Sequence, residues 1–380
     1  MKVAGKTALV IGEQLHNYDL GPNHPLRPER IKIALALAKN YNLISSSYIL
    51  TPRLAKSEEL LLFHTEEYVN KVEDYSRAGY GILDAGDTPA FSGCFEITSW
   101  IVGASLVGIE AIIDGKADHA FNFSGGLHHA YPSKASGFCI FNDPAVCISV
   151  LKKKYGIKRI AYIDIDAHHG DGVMYGFYDD PSVLDVDFHE DGRYLFPGSG
   201  FPNEIGEGKA KGLKINIPLP RNVNDKLYLE AFHRIVPAAL RSYEPEIILL
   251  QSGADSHKGD PLTHLSITNK TYNEIASWLH KFVHEMCCGK IMIFGGGGYL
   301  LSNVARCWVK VLSVFLEKEI SAKIPDEWQK YYKSLTHDEA PNIMNEQEEE
   351  FLNQKAADEM CLILDELEET TCVSCNCSKN

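Results

Sequence analysis

The stretch YIDIDAHHGDGV, residues 162–173, sets three aspartates and two histidines directly behind an apolar run. Asp166 and His168 stand two apart, and in extended backbone positions i and i+2 point the same way, so both side chains can reach one point. A carboxylate and an imidazole suit zinc or iron(II), and a third carboxylate completes a catalytic set with open positions. Asp255, which ends the run ILLQSGAD, is the best candidate for that third ligand. A single Asp after a strand reads more simply as a helix N-cap; convergence from separate strand ends favours the metal. His128 and His129 follow FSGG, and adjacent side chains can line one site only on a tight turn, which the glycines permit. Their plain reading is a pair of surface loop histidines. Asp164 and Asp171 flank the metal candidates, and a neutral imidazole is oriented through its other nitrogen, usually by a carboxylate. Two spare aspartates and two spare histidines are therefore the parts for two His–Asp pairs. Tyr299 ends FGGGGYL, which lacks the Lys-Ser/Thr of a phosphate-binding loop. A phenol delivered by such a turn can donate to an oxyanion.

These residues need elements that bring them together. Five short apolar runs end in glycine or polar clusters: HAFNFSGGLHH (119–129), RIAYIDIDAHH (159–169), SVLDVDFHED (182–191), EIILLQSGAD (246–255) and KIMIFGGGGY (290–299). Their nearly continuous apolarity suits strands of a parallel sheet covered on both faces. Amphipathic stretches of helical length lie between them, as at 225–243 and 271–286. The alternation predicts a single-domain, doubly wound α/β fold with a mostly parallel sheet. Ligands of such sheets bind beyond the carboxyl ends of the strands, where all five runs carry their reactive residues.

Composition narrows the setting. The chain has 380 residues, 45% hydrophobic and 23% charged, with no run of eighteen uncharged apolar residues that would span a membrane. No basic patch stands out, which argues against direct nucleic-acid binding. The first residues, MKVAGKTALVIGEQLH, read as a short strand rather than a signal peptide. Ten cysteines without framework spacing suggest reduced thiols and a cytoplasmic setting. The net charge of −14 is concentrated late: from His337 onward there are twelve Asp and Glu against two Lys. The expected division is a catalytic domain over 1–336 and an acidic helix and tail over 337–380. In that reading, removal of residues 341–380 leaves a folded, active domain. The terminal CVSCNCSKN reads as a loose end rather than a thiolate metal site.

The motifs, taken in order, resemble the zinc-dependent histone deacetylases, and among them the prokaryotic acetoin-utilisation deacetylases. The matching stretches are HPLRPERIKIAL (24–35), DTPAF (87–91), SGGLHHA (124–130), SGFCIFND (136–143), DIDAHHGDGV (164–173), FHEDGRYLFPGSG (188–200), GADSHKGDPL (253–262) and GGGGYLLSNVARCW (295–308). The resemblance covers about residues 7–320. It implies an arginase/deacetylase-like fold and one catalytic divalent metal, zinc or iron(II), on Asp166, His168 and Asp255. It implies that Asp164 and Asp171 hold His128 and His129 respectively, and that Tyr299 polarises the carbonyl. Phe138 and Phe196 would wall a tunnel for the acetyl-lysine side chain, with Gly137, Leu262 and Gly297 beside them. Asp87 matches a rim aspartate that grips the substrate backbone, and Arg30 an arginine of an acetate-release channel. Asp187 stands where many relatives have Ser, so a potassium site on Asp164, Asp166, His168, Asp187 and Phe188 would be an altered one. Pro261 replaces the arginine that reads inositol phosphate in co-repressor-bound members. The implied activity is hydrolysis of Nε-acetyl-lysine in proteins to lysine and acetate. The alternative on the same site is an acetylpolyamine or other small-amide hydrolase. A two-manganese ureohydrolase would need a second carboxylate cluster, and a non-catalytic acetyl-lysine reader would not need the proton-transfer residues.

Overall fold

The computed structural model describes residues 6–84, 86–346 and 353–373. In chain order its strands are β1 (Thr7–Val10), β2 (Tyr48–Leu50), β3 (Tyr80–Ile82), β4 (Pro89–Phe91) and β5 (His119–Asn122). They continue with β6 (Ile160–Asp164), β7 (Val183–Glu190), β8 (Lys214–Leu219), β9 (Ile247–Gln251) and β10 (Ile291–Phe294). The helices of the first half are α1 (Glu29–Asn40), α2 (Leu43–Ser46), α3 (Ser57–Leu60), α4 (Glu66–Ala78), α5 (Cys94–Ile113) and α6 (Asp143–Lys153). Those of the second are α7 (Asp171–Gly176), α8 (Asp225–Tyr243), α9 (Asn269–Met286), α10 (Leu301–Phe315), α11 (Asp326–Thr336) and α12 (Gln354–Thr370). Eight strands form one parallel sheet in the order β2-β1-β5-β10-β9-β6-β7-β8, and β3 pairs with β4 separately.

Period-2 alternation divides the central strands between two cores. Ile248 and Leu250 of β9 join the cluster with α1, α8, α9 and α10, whereas Ile247 and Leu249 face α5 and α6 on the other side. The five apolar runs became β5, β10, β9, β6 and β7, which are contiguous in the sheet. The edges were harder to read. β2 is three residues long and largely exposed. β8, KINIPL, carries Pro218, which a sheet tolerates at its edge, and Lys214, which is buried with Nζ donating to Val183 O.

Two segments depart from what composition suggested. Helix α5 is long and apolar enough to cross a membrane, but 67% of its apolar window is buried, packed on β5, α6 and β1. The acidic C-terminal helix, expected as an appendage, packs on the domain. Met360, Leu364 and Leu367 of α12 enter the same core as α8, because they recur at helical spacing beneath the acidic face. Arg234 reaches Asp365 and Glu368, and Arg193 reaches Glu359. Arg306 and His257 both contact Glu346. A chain cut at 341 would expose that apolar face of the core, so the expectation of a freely removable tail does not match its packing. Cys375 and Cys377 of the terminal cysteine motif lie outside the described residues.

Candidate active site

Three strand ends converge beyond the carboxyl edge of the sheet. Asp164 closes β6, and the loop after it is folded by its own aspartates. Asp164 Oδ1 accepts from Asp166 N at 3.0 Å, and Asp166 Oδ1 accepts from His168 N at 3.0 Å. Asp255, past the end of β9, accepts from Ala167 N through Oδ1 at 2.9 Å and faces His168 Nδ1 through Oδ2 at 3.0 Å. One ligand atom from each of Asp166, His168 and Asp255 lies within 4.8 Å of the other two. Two glycines clear the space around these oxygens. A Cβ on Gly297 would sit 2.2 Å from Asp255 Oδ2, and one on Gly253 would sit 2.1 Å from Asp166 Oδ2. Gly297 N also donates to Asp166 Oδ2 at 2.7 Å. Two adjacent buried carboxylates repel one another and call for a cation. The donor set of two carboxylates and one imidazole fits zinc or iron(II).

The two histidines sit on the turn that follows β5. Gly126 has φ +96°, and a Cβ there would meet Gln251 Oε1 at 2.5 Å and Gly296 N at 2.7 Å, so only glycine fits. His128 Nδ1 lies 2.8 Å from Asp164 Oδ2, and His129 Nδ1 lies 2.6 Å from Asp171 Oδ1. Their Nε2 atoms are 3.1 Å apart. Burial opposes charge on His128, but Asp164 and Asp166 outweigh it and raise its pKa to about 10. Burial and then the charge of His128 lower His129 to about 4, against Asp171. The two rings are thus shifted in opposite directions.

Tyr299 follows Gly298, and burial together with the charges of Asp255 and Asp166 raises its phenol well above the ordinary range, so it remains a donor. Its ring lies 6.2 Å from that of His168 and 5.9 Å from that of Phe138. An inner pocket of 20 Å³, about one water in size, is lined by His128, His129, Asp166, Gly297 and Tyr299, with Arg30 and Cys139 also in its wall. Arg30 is buried and donates to Gly296 O at 2.8 Å. Gly137 borders both this pocket and an outer groove of 560 Å³ that includes Asp87 and Phe196. A Cβ on Gly137 would strike His129 at 2.5 Å and Phe196 at 2.8 Å, so the passage needs glycine there. Phe138 holds φ +65°, fixed by Thr88 Oγ1 on its N–H and Tyr18 OH on its carbonyl.

Asp87 is exposed at the groove, and its loop is capped by a neighbour: Asp84 Oδ1 accepts from the amides of Gly86, Asp87 and Thr88. Leu262 lines neither cavity; its amide is bound by Asp260 Oδ1, while Asp260 Oδ2 accepts from Tyr299 N at 2.8 Å. Asp187 pairs with Asp164 in register across β6 and β7, and its carboxylate is engaged by Gly170 N and His189 Nδ1. Phe188 turns its ring into the core against Tyr228.

Sequence reasoning missed several positioning residues. Tyr162 and Tyr131 donate to Asp164 and Asp171 at 2.7 and 2.9 Å. Asp143 accepts from Gly126 N and Leu127 N, and Asn142 Nδ2 donates to the carbonyls of His128 and Ala130. The pair Asn142–Asp143 opens α6, so its only signal was that of a helix N-terminus.

A model of the histone deacetylase domain matches residues 24–315 of the chain. The acetoin utilization protein AcuC of Bacillus subtilis (strain 168) is 41% identical over 333 residues, covering 85% of each chain. The AcuC protein of Staphylococcus aureus (strain MRSA252) is 37% identical over 346 residues, covering 88% of each. That of Staphylococcus xylosus is 35% identical, covering 85% of this chain and 86% of its own.

Proposed function

The chain belongs to the histone deacetylase family, hydrolases of amide bonds, and from that premise we propose that it removes acetate from Nε-acetyl-lysine displayed on a protein. Asp166, His168 and Asp255 would hold zinc or, alternatively, iron(II). Such an ion, when bound, supplies Lewis acidity that polarises a carbonyl and acidifies water. His129, neutral and tied to Asp171, takes the proton of the attacking water and returns one to the lysine nitrogen as the C–N bond breaks. His128, paired with Asp164, supports the charge balance of the site. Tyr299 donates to the carbonyl oxygen as negative charge grows there, a contribution commonly about 3 kcal/mol per donor. Phe138 and Phe196 flank the passage at Gly137, and Arg30 at the inner wall would guide acetate away. A potassium ion near Asp164, Asp166, His168, Asp187 and Phe188 would find the Asp187 carboxylate already engaged, and would draw more on backbone oxygens. The cysteines of the described residues form no disulfide, which fits a reducing, cytoplasmic setting.

The observation that favours a protein substrate is the contrast between the two cavities. The inner pocket of 20 Å³ is too narrow for anything beyond the slim end of a side chain, whereas the groove of 560 Å³ outside Gly137 has room for a chain and bears Asp87. A carboxylate there can accept two backbone N–H bonds, each worth about 1.5–3 kcal/mol. Asp87→Ala should cut kcat/KM for acetyl-lysine peptides by about tenfold or more, at 1.4 kcal/mol per decade, and barely affect a minimal acetylated amine. Burial and the neighbouring Asp84 raise Asp87 to about 6. It accepts two N–H bonds at full strength only when ionised, so the peptide-to-amine rate ratio should fall as pH drops through about 6. Equal losses on both substrates would move the assignment to a small-amide hydrolase.

A further inference from the structure

We propose that the chain carries a second metal site, of the zinc class, at the amino end of the sheet and built from His119, His280 and His284. His119 opens β5, beside Thr7 of β1 and Ile291 of β10. His280 and His284 are four residues apart on α9 and so share one face of that helix. One ring nitrogen from each of the three lies within 4.8 Å of the others. His119 Nε2 and His284 Nε2 are 3.2 Å apart. Tetrahedral zinc with bonds of 2.0–2.1 Å separates its nitrogen ligands by about 3.3 Å, so this pair already spans one edge of the required polyhedron.

The tautomer is set for ligation. Thr7 Oγ1 donates to Phe315 O at 2.6 Å, so its lone pair receives the His119 Nδ1–H at 2.9 Å. That leaves the His119 Nε2 lone pair facing His284, the arrangement in which a hydrogen bond at one nitrogen orients the other toward a metal. A surface cavity of 430 Å³ has His280 in its wall, together with Ser277, Lys281 and Lys310. His284 is exposed and His119 fully buried, so a bound ion would fasten α9 to the sheet. A set of three imidazoles without a carboxylate suits zinc, copper, nickel or cobalt rather than magnesium or calcium.

The test uses the full chain, stripped with chelator and titrated with Zn(II) and, for its visible spectrum, Co(II). Wild type should bind two equivalents. His284→Ala should bind one and keep its amidohydrolase activity, whereas Asp255→Asn should also bind one but lose activity. In the Asp255→Asn background, Co(II) absorption should report imidazole ligation and vanish on adding His284→Ala. Thr7→Val keeps all three rings and removes only the orienting hydroxyl; it should weaken the second equivalent by about 10–100-fold. A single equivalent in wild type, or a stoichiometry unchanged in His284→Ala, would overturn the proposal. The three rings would then be a hydrogen-bonded cluster in which His284 Nε2–H donates to His119.

Discussion

Strand β5 has histidines at both ends, His119 at the start and His128 and His129 just past the finish, and the two ends treat an imidazole differently. At the carboxyl end each ring meets a buried carboxylate: Asp164 for His128, Asp171 for His129, Asp255 for His168. At the amino end His119 meets a hydroxyl and two other imidazoles. The same burial therefore ends in opposite states, with His128 raised to about 10 and His119 lowered to about 3. Burial disfavours the imidazolium at both ends; Asp164 and Asp166 reverse it at His128, whereas at His129 burial and the charge of His128 outweigh Asp171. One end is equipped to move protons, and the other only to present lone pairs.

The largest effect should come from breaking the carboxylate-rich end. Asp255→Asn keeps the shape of a proposed ligand and removes its charge. Activity should fall on the order of a thousandfold, several kcal/mol of barrier, and elemental analysis should show the catalytic ion gone. An active variant with full metal content would erase the distinction between the ends. Tyr299→Phe should lower kcat by about a hundredfold and leave KM within about twofold, because the phenol acts mainly on developing charge. A matching rise in KM would assign the tyrosine to ground-state binding instead. The smallest effect on chemistry should come from a position outside both ends. Leu367 of α12 is fully buried against the core, so Leu367→Ala should cost about 2–5 kcal/mol of stability, seen as a lower Tm. Turnover per folded molecule should be unchanged, and a loss of kcat there would mean that α12 communicates with the site.

The carboxyl end was legible in the sequence because its residues follow apolar runs immediately, and a parallel sheet gathers such ends on one side. Asp166, His168 and Asp255 could be placed together from that rule alone. Asp143, Asp260 and Tyr131 could not, because Asp143 acts from the first turn of α6 and the other two from loops that fold back, and their spacing carries no periodicity. Helix α12 was visible as a helix, but its acidic face masked the row Met360, Leu364 and Leu367 that docks it. The cluster of His119, His280 and His284 was half visible, as two histidines four apart in LHKFVH. Its third member stands 161 residues from His280, and only the sheet register brings it near.

The strand order has a consequence for how the protein is made. β10, the last strand in the chain, lies between β5 and β9 near the middle of the sheet. A nascent chain that has not yet released residues 291–294 from the ribosome must leave β5 and β9 unjoined, with apolar edges waiting for a partner. Tyr299 comes a few residues later still. Such non-local closure is slow and leaves sticky edges exposed until β10 arrives. Catalytic competence should arrive all at once near the end of synthesis rather than growing with length.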